Sequence, residues 1–286
     1  MGYKKIIKKI AQFILTSQPN NFVTVKTESI NYGHILKNQS IVITGGNKGI
    51  GYSIAKKCIS EGANVLILGR DLDTLKKAAA TLGNQCKFLQ FDVTQTKEYP
   101  NLFEKCKKIL GGGSIDCWVN NAGISLHEGS FKNVTIEGFN KQIDINLKAY
   151  YFLSKAFLEM KLEEHKDGNL LLISSETGSL YDDIPYGIIK AGINSLTGAL
   201  SRRVYKSGIR VNAIAPGVTL TDMTKEYTNT TSGNLSVNSA SGRYFLPDEV
   251  AEVACFLLSK ASQCISGEII HCNGGNHLKL NRENIE

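Results

Sequence analysis

The sequence lacks any apolar run approaching the roughly 18 residues that cross a bilayer, so no spanning helix is expected. Seven cysteines (58, 86, 106, 117, 255, 264 and 272) include no CxxC pair. An odd, scattered set of thiols argues against a disulfide framework and for a reducing, cytoplasmic setting. No His or Cys spacing matches a zinc site, so no metal is expected. The GxSxG elbow of a serine hydrolase is absent, and the five histidines show no partnered acid pattern. No internal repeat is present. What the chain does have is 286 residues with 42% apolar content, enough to build a real core.

The net charge of +7 raises nucleic acid as a partner, but its distribution excludes that reading. Residues 1–39 hold Lys4, Lys5, Lys8, Lys9, Lys26 and Lys37 against Glu28 alone. The rest is nearly balanced and has no field to hold a phosphate backbone. We therefore read 1–39 as a basic extension and 40–286 as one catalytic domain. Within the extension, Ile6, Ile7, Ile10, Phe13 and Ile14 fall on one helical stripe opposite the lysines. Such a stripe packs on the protein's own body or on a sister subunit. The other reading is that residues 1–16 dock on an anionic membrane surface. Residues 22–27 alternate like a short strand.

From Ser40 onward, short apolar runs alternate with helical patterns. The runs lie at 41–44, 64–69, 87–91, 115–120, 169–174, 209–215 and 268–272. Helical patterns include 50–61, 72–82, 135–162, 187–206 and 247–259. Near-continuous apolar strands suit a sheet buried on both faces. The expected fold is α/β: a Rossmann-type doubly wound sheet of about seven parallel strands, with helices on both faces and ligands at the carboxyl ends. The Ser-, Thr- and Asn-rich stretch 227–243 makes the region near 219–245 a candidate lid loop.

The first strand runs into Thr44-Gly45-Gly46-Asn47-Lys48-Gly49-Ile50-Gly51, a GxxxGxG variant of the dinucleotide fingerprint. Its tight turn would aim backbone N–H groups and a helix N-terminus at a pyrophosphate. At the end of the second strand, where an NAD site places an acid, stand Gly69 and Arg70. An arginine fork suits a 2′-phosphate, and Lys48 adds a second positive charge. NADP(H) is therefore the expected cofactor. Asp71, if it points inward, would admit NAD(H) instead.

In order along the chain stand TGGNKGIG (44–51), DVT (92–94), NNAG (120–123), Asn146 in DINLKAY, Ser175 in ISSETG, Tyr186 and Lys190 in YGIIK, and PGVTLT (216–221). Together they resemble the short-chain dehydrogenases/reductases, in the compact branch, over about residues 40–275. The resemblance implies that Asp92 and Val93 flank an adenine. Asn120, Ala122 and Gly123 would line the cofactor cleft, and Pro216, Gly217, Thr219 and Thr221 would meet the nicotinamide end. It also implies that Asn146 positions a water linking Lys190 to solvent. Homo-oligomers, tetramers or dimers, built on helices 135–162 and 187–206 are expected from it too.

The residues also speak for themselves. Tyr186 and Lys190 are four apart in a helical stretch and share a face. A free phenol titrates near pH 10, and a neighbouring ammonium is expected to pull it down. Tyr186 would then trade a proton with a substrate oxygen while hydride moves to or from nicotinamide, interconverting a carbonyl and an alcohol. Ser175, at a strand's carboxyl end, would hold the substrate oxygen. A dinucleotide-binding sensor or scaffold without turnover is the alternative, but it has no need of Asn146, Ser175, Tyr186 and Lys190 together. Substrate contacts are expected from 125–128, 176–183 and 219–245, with Asp182 and Asp183 able to meet hydroxyls or a cation. An acyl thioester, a steroid-like ketone and a sugar-related compound all remain open.

Overall fold

A computed structural model of the protein describes residues 32–225 and 239–278. The N-terminal stripe, the strand read at 22–27 and the centre of the candidate lid lie outside the described residues. Seven parallel strands form one sheet: β1 (Ser40–Thr44), β2 (Asn64–Gly69), β3 (Cys86–Gln90), β4 (Cys117–Asn120), β5 (Gly168–Ile173), β6 (Ile209–Pro216) and β7 (Ile269–Cys272). Their order is β3-β2-β1-β4-β5-β6-β7. The order reverses between β1 and β4, which opens a crevice at the carboxyl ends of those strands.

Alternate residues of each central strand feed two cores. Ile41, Ile43, Val65, Ile67, Leu171 and Ile173 face one side of the sheet. Val42, Leu66, Leu68, Leu170 and Leu172 face the other. The first side is covered by α1 (Gly49–Ser60), α2 (Leu72–Leu82) and α7 (Pro247–Leu258). The second is covered by α3 (Tyr99–Ile109), α5 (Ala149–Glu163) and α6 (Pro185–Val204). Trp118 anchors the second core, stacked on Phe103 with ring centroids 4.5 Å apart. Helix starts follow local chemistry. Asp71 caps α2 by accepting from Thr74 N at 2.7 Å, and Pro185 and Pro247 open α6 and α7.

Two expectations need correction. The helical pattern at 135–162 is not one α-helix. It is α4 (Ile136–Gln142), six residues of π-helix (Ile143–Lys148) and then α5. The extra residue per turn lets the chain stay helical while turning Asn146 inward. The packed body also begins before Ser40. Leu36 is fully buried, and the Glu61 carboxylate accepts from the backbone N–H groups of Tyr32, His34 and Ile35 at 3.1–3.4 Å. Glu61 also pairs with Lys57 at 3.1 Å, and Lys57 reaches Glu252 at the same distance. Removing one member of a buried ion pair leaves its partner uncompensated. Glu61→Ala is therefore expected to lower stability by about 3 kcal/mol, read by urea denaturation, and to speed proteolysis at residues 32–39.

Candidate active site

The site is built first from backbone. Gly45 and Gly49 hold φ of +64° and +56°, in the left-handed region where glycine is at ease. Asn121 fastens the turn, donating through Nδ2 to Thr44 O at 2.9 Å and Gly45 O at 3.1 Å. Thr44 Oγ1 in turn accepts from the N–H groups of Asn121 and Ala122 at 2.9 and 3.0 Å. The ends of β1 and β4 are thus laced together beneath the crevice. No side chain caps α1, and its first turn holds no acid, so its leading N–H groups are left for an anion.

Above this floor lies a cavity of about 1120 Å³. Its lining includes Gly45, Asn47, Lys48, Gly49, Ile50, Arg70, Asp92, Val93, Ala122, Gly123, Pro216, Gly217, Thr219 and Thr221, together with Ser175, Tyr186 and Lys190. Three residues singled out from the sequence are elsewhere. Asn120 is fully buried, accepting from Trp118 Nε1 at 2.9 Å and donating to Ser154 Oγ at 3.0 Å and Tyr150 O at 3.3 Å. It is a core residue, and its neighbour Asn121 takes the place at the cleft. Gly51 is a packing glycine: an added Cβ would stand 2.4 Å from Asn121 Nδ2 and 2.5 Å from Gly45 O. Asn146 lies behind the wall. Its Oδ1 accepts from Ile124 N at 2.9 Å and its Nδ2 donates to Ile124 O at 2.7 Å. The side chain brackets the segment that follows Gly123, and both of these bonds go to Ile124 and not to Lys190.

At the end of β2, Arg70 is exposed at the cavity's edge. The Asp71 carboxylate is committed as the α2 cap, and the hydrogen bonds from Thr74 hold it below the usual carboxylate range. Lys48 crosses the mouth to Asp222 at 3.1 Å. Both partners of that pair are well exposed, so it contributes little by itself.

The candidate reacting groups lie just after β5 and in the first two turns of α6. The turn 176–179 lies directly on α6, for a Cβ on Gly178 would stand 2.6 Å from the Lys190 carbonyl carbon. Ser174 donates to Asn194 Oδ1 at 2.6 Å, and Asn194 Nδ2 donates to Gly178 O at 3.0 Å. These contacts seat Ser175 beside Tyr186, and both line the same cavity. Burial nevertheless pushes the Tyr186 phenol up to about 12. It pulls the Lys190 amine down to about 7. Lys190 Nζ donates to Ile173 O at 2.7 Å and stands 5.5 Å from the Tyr186 ring centroid. The expected ammonium-driven fall of the phenol is not found in this structure: burial sets the direction at both groups.

The segment after β6 folds over this chamber. Thr219 bridges to Phe245, and Leu220 N donates to Phe245 O at 2.8 Å. Residues 226–238 of the candidate lid lie outside the described region. Among the described residues, no His/Cys/Asp/Glu group could hold a metal, and no helix is long and apolar enough to cross a membrane.

A doubly wound sheet, a glycine turn at its switch point and a Ser–Tyr–Lys set at its carboxyl edge define a dinucleotide-dependent oxidoreductase. Residues 45–277 match the family model described as enoyl-(acyl carrier protein) reductase. A 3alpha-hydroxysteroid dehydrogenase of Mediterraneibacter gnavus is 33% identical, covering 84% of this chain and 97% of that protein. A 3-oxoacyl-[acyl-carrier-protein] reductase of Escherichia coli is 30% identical over 83% of this chain and 96% of its own. A solved short-chain type dehydrogenase/reductase from Mycobacterium ulcerans superposes with a TM-score of 0.78 at 26% identity, covering 85% and 91% of the two chains. The chain belongs to the short-chain dehydrogenase/reductase family and is an NAD(P)-dependent oxidoreductase acting between carbonyl and alcohol.

Proposed function

We propose that this enzyme is an NADPH-dependent carbonyl reductase of the 3-oxoacyl-thioester type, with Tyr186 as its proton donor. The observation that carries the reading is that Ser175, Tyr186 and Lys190 line one cavity with the glycine turn. A nicotinamide bound there supplies the hydride. Ser175 Oγ donates to the carbonyl oxygen and steadies its developing charge. Tyr186, whose raised phenol keeps its proton through neutral pH, gives that proton to the same oxygen. Lys190 Nζ, which exchanges near pH 7, returns a proton to the phenolate. Asn146 acts through Ile124, holding the wall behind the nicotinamide end.

The phosphate end supports NADP(H) over NAD(H). Arg70 lines the cavity at the end of β2 and would be free to meet a 2′-phosphate, Lys48 lines the glycine turn, and Asp71 is bound to its own helix. Arg70→Asp is expected to reduce the NADPH-to-NADH ratio of kcat/KM by about 10–100-fold. An unchanged ratio in steady-state kinetics with both cofactors would defeat the phosphate argument.

All seven cysteines are free thiols, which supports a cytoplasmic enzyme. Ile136, Phe139, Tyr151, Phe152 and Ile188 are exposed on α4, α5 and α6, which supports a homo-oligomer, dimer or tetramer, joined by those helices.

A further inference from the structure

Charged groups line both ends of the cavity. Toward β2 and β3 the lining mixes Arg70 with Asp71 and Asp92, and Lys48 at the central turn is paired with Asp222. Toward β5 and β6 it holds the carboxylates of Glu176 and Asp182, with Asp222 beyond β6 paired to Lys48. The lysine on that side, Lys190, is 3% exposed and turned to Ile173 O. His127 also reaches the chamber, but its Nε2 lies 2.9 Å from Met223 O and its Nδ1 3.1 Å from Ser125 Oγ. Since a carbonyl can only accept, Nε2 carries the hydrogen. Lys225 is exposed and outside the lining, and Arg243 is paired with Glu249 at 2.6 Å.

Both carboxylates are fixed in place. Asp182 Oδ1 accepts from Ile184 N at 3.2 Å. Its other oxygen lies over Gly187, where an added Cβ would stand 2.1 Å away. Asp182 is therefore packed on the first turn of α6, beside Tyr186, where aligned peptide dipoles favour negative charge. Glu176 is 7% exposed, and its Oε2 accepts from the amides of Asn273 and Asn276, each at 3.0 Å. Ile184, Val218 and Met223 give the same side apolar surface.

Building on the reductase reading above, we propose that Asp182 and Glu176 make this enzyme select uncharged carbonyl compounds with an apolar body and reject those carrying a carboxylate near the reacting carbon. A carboxylate entering this end of the chamber meets Glu176 and Asp182, while Lys190 is turned to Ile173 O and Lys48 is paired with Asp222. A hydroxyl or amide N–H on a neutral substrate meets an acceptor instead.

The test compares matched pairs with NADPH: methyl 3-oxobutanoate against 3-oxobutanoate, and methyl 3-oxooctanoate against 3-oxooctanoate. The esters are expected to exceed the acids in kcat/KM by at least about tenfold. Asp182→Asn keeps the acceptor for Ile184 N, and Glu176→Gln keeps an acceptor for both amides. Each is expected to narrow the ratio several-fold, chiefly by gain on the acids. Equal use of ester and acid, or ratios unmoved in both variants, would overturn the charge selectivity and leave the reductase reading standing. A chain that binds NADPH yet reduces neither member of either pair would sink both.

Discussion

Tyr186→Phe is expected to reduce turnover by on the order of 10²–10⁴-fold while leaving NADPH binding nearly intact. The phenyl ring keeps the shape of the wall, and the change removes a single oxygen. That oxygen is the one that would give its proton to the substrate. Its phenol, pushed up to about 12 by burial, is an acid that stays loaded across the physiological range. Ser175 and the apolar lining remain, so a small residual rate is expected from orientation alone. The measurement is stopped-flow oxidation of NADPH paired with a fluorescence titration of the dinucleotide. Activity within tenfold of the native enzyme would remove Tyr186 from the proton path.

Lys190→Met is expected to be nearly as damaging, at on the order of 10²-fold, and to leave a distinct mark on stability. In the native fold burial pulls Lys190 from 10.5 down to about 7. Between those two values the unfolded chain binds a proton that the folded chain does not. Stability contributed by this group therefore rises as pH climbs from about 7 toward 10.5. Below that window the fold carries a desolvated ammonium and its penalty is complete. The variant lacks the group, so native stability minus variant stability should increase with pH across 7–10. Urea denaturation of both proteins at several pH values reads the difference directly, and a flat line would contradict the buried amine.

Much of this architecture is visible in the residues alone, for definite reasons. IVIT and NVLILG can be buried on both faces only in a parallel sheet, and the sheet places them there. Glycines 45 and 49 announce a turn because few other residues accept its backbone. The failures share a cause: they depend on contacts between distant segments. Nothing in NNAG says which asparagine turns inward, since both are flanked by β4 and the crevice. Periodicity over 135–162 cannot show a π-helical insertion, which preserves the apolar face while shifting Asn146. Gly51 looks like a ligand contact because it sits in the motif, yet its absent Cβ makes room for Asn121. The direction in which burial moves the Tyr186 phenol is not legible from four-residue spacing, which reports proximity and not desolvation. The network joining Glu176 to Asn273 and Asn276 spans nearly a hundred positions and carries no local signature.

The seating of Gly178 on the Lys190 backbone has a consequence for how such an enzyme diversifies. Ser175, Tyr186 and Lys190 belong to one rigid block, because the turn bearing the first is pressed without clearance onto the helix bearing the other two. A second block, the laced ends of β1 and β4, holds the cofactor floor. The stretches 125–128 and 219–225 border the chamber but are built into neither block. They can be rewritten to admit a new molecule while proton delivery stays as it was, so substrate range and chemical competence are inherited separately.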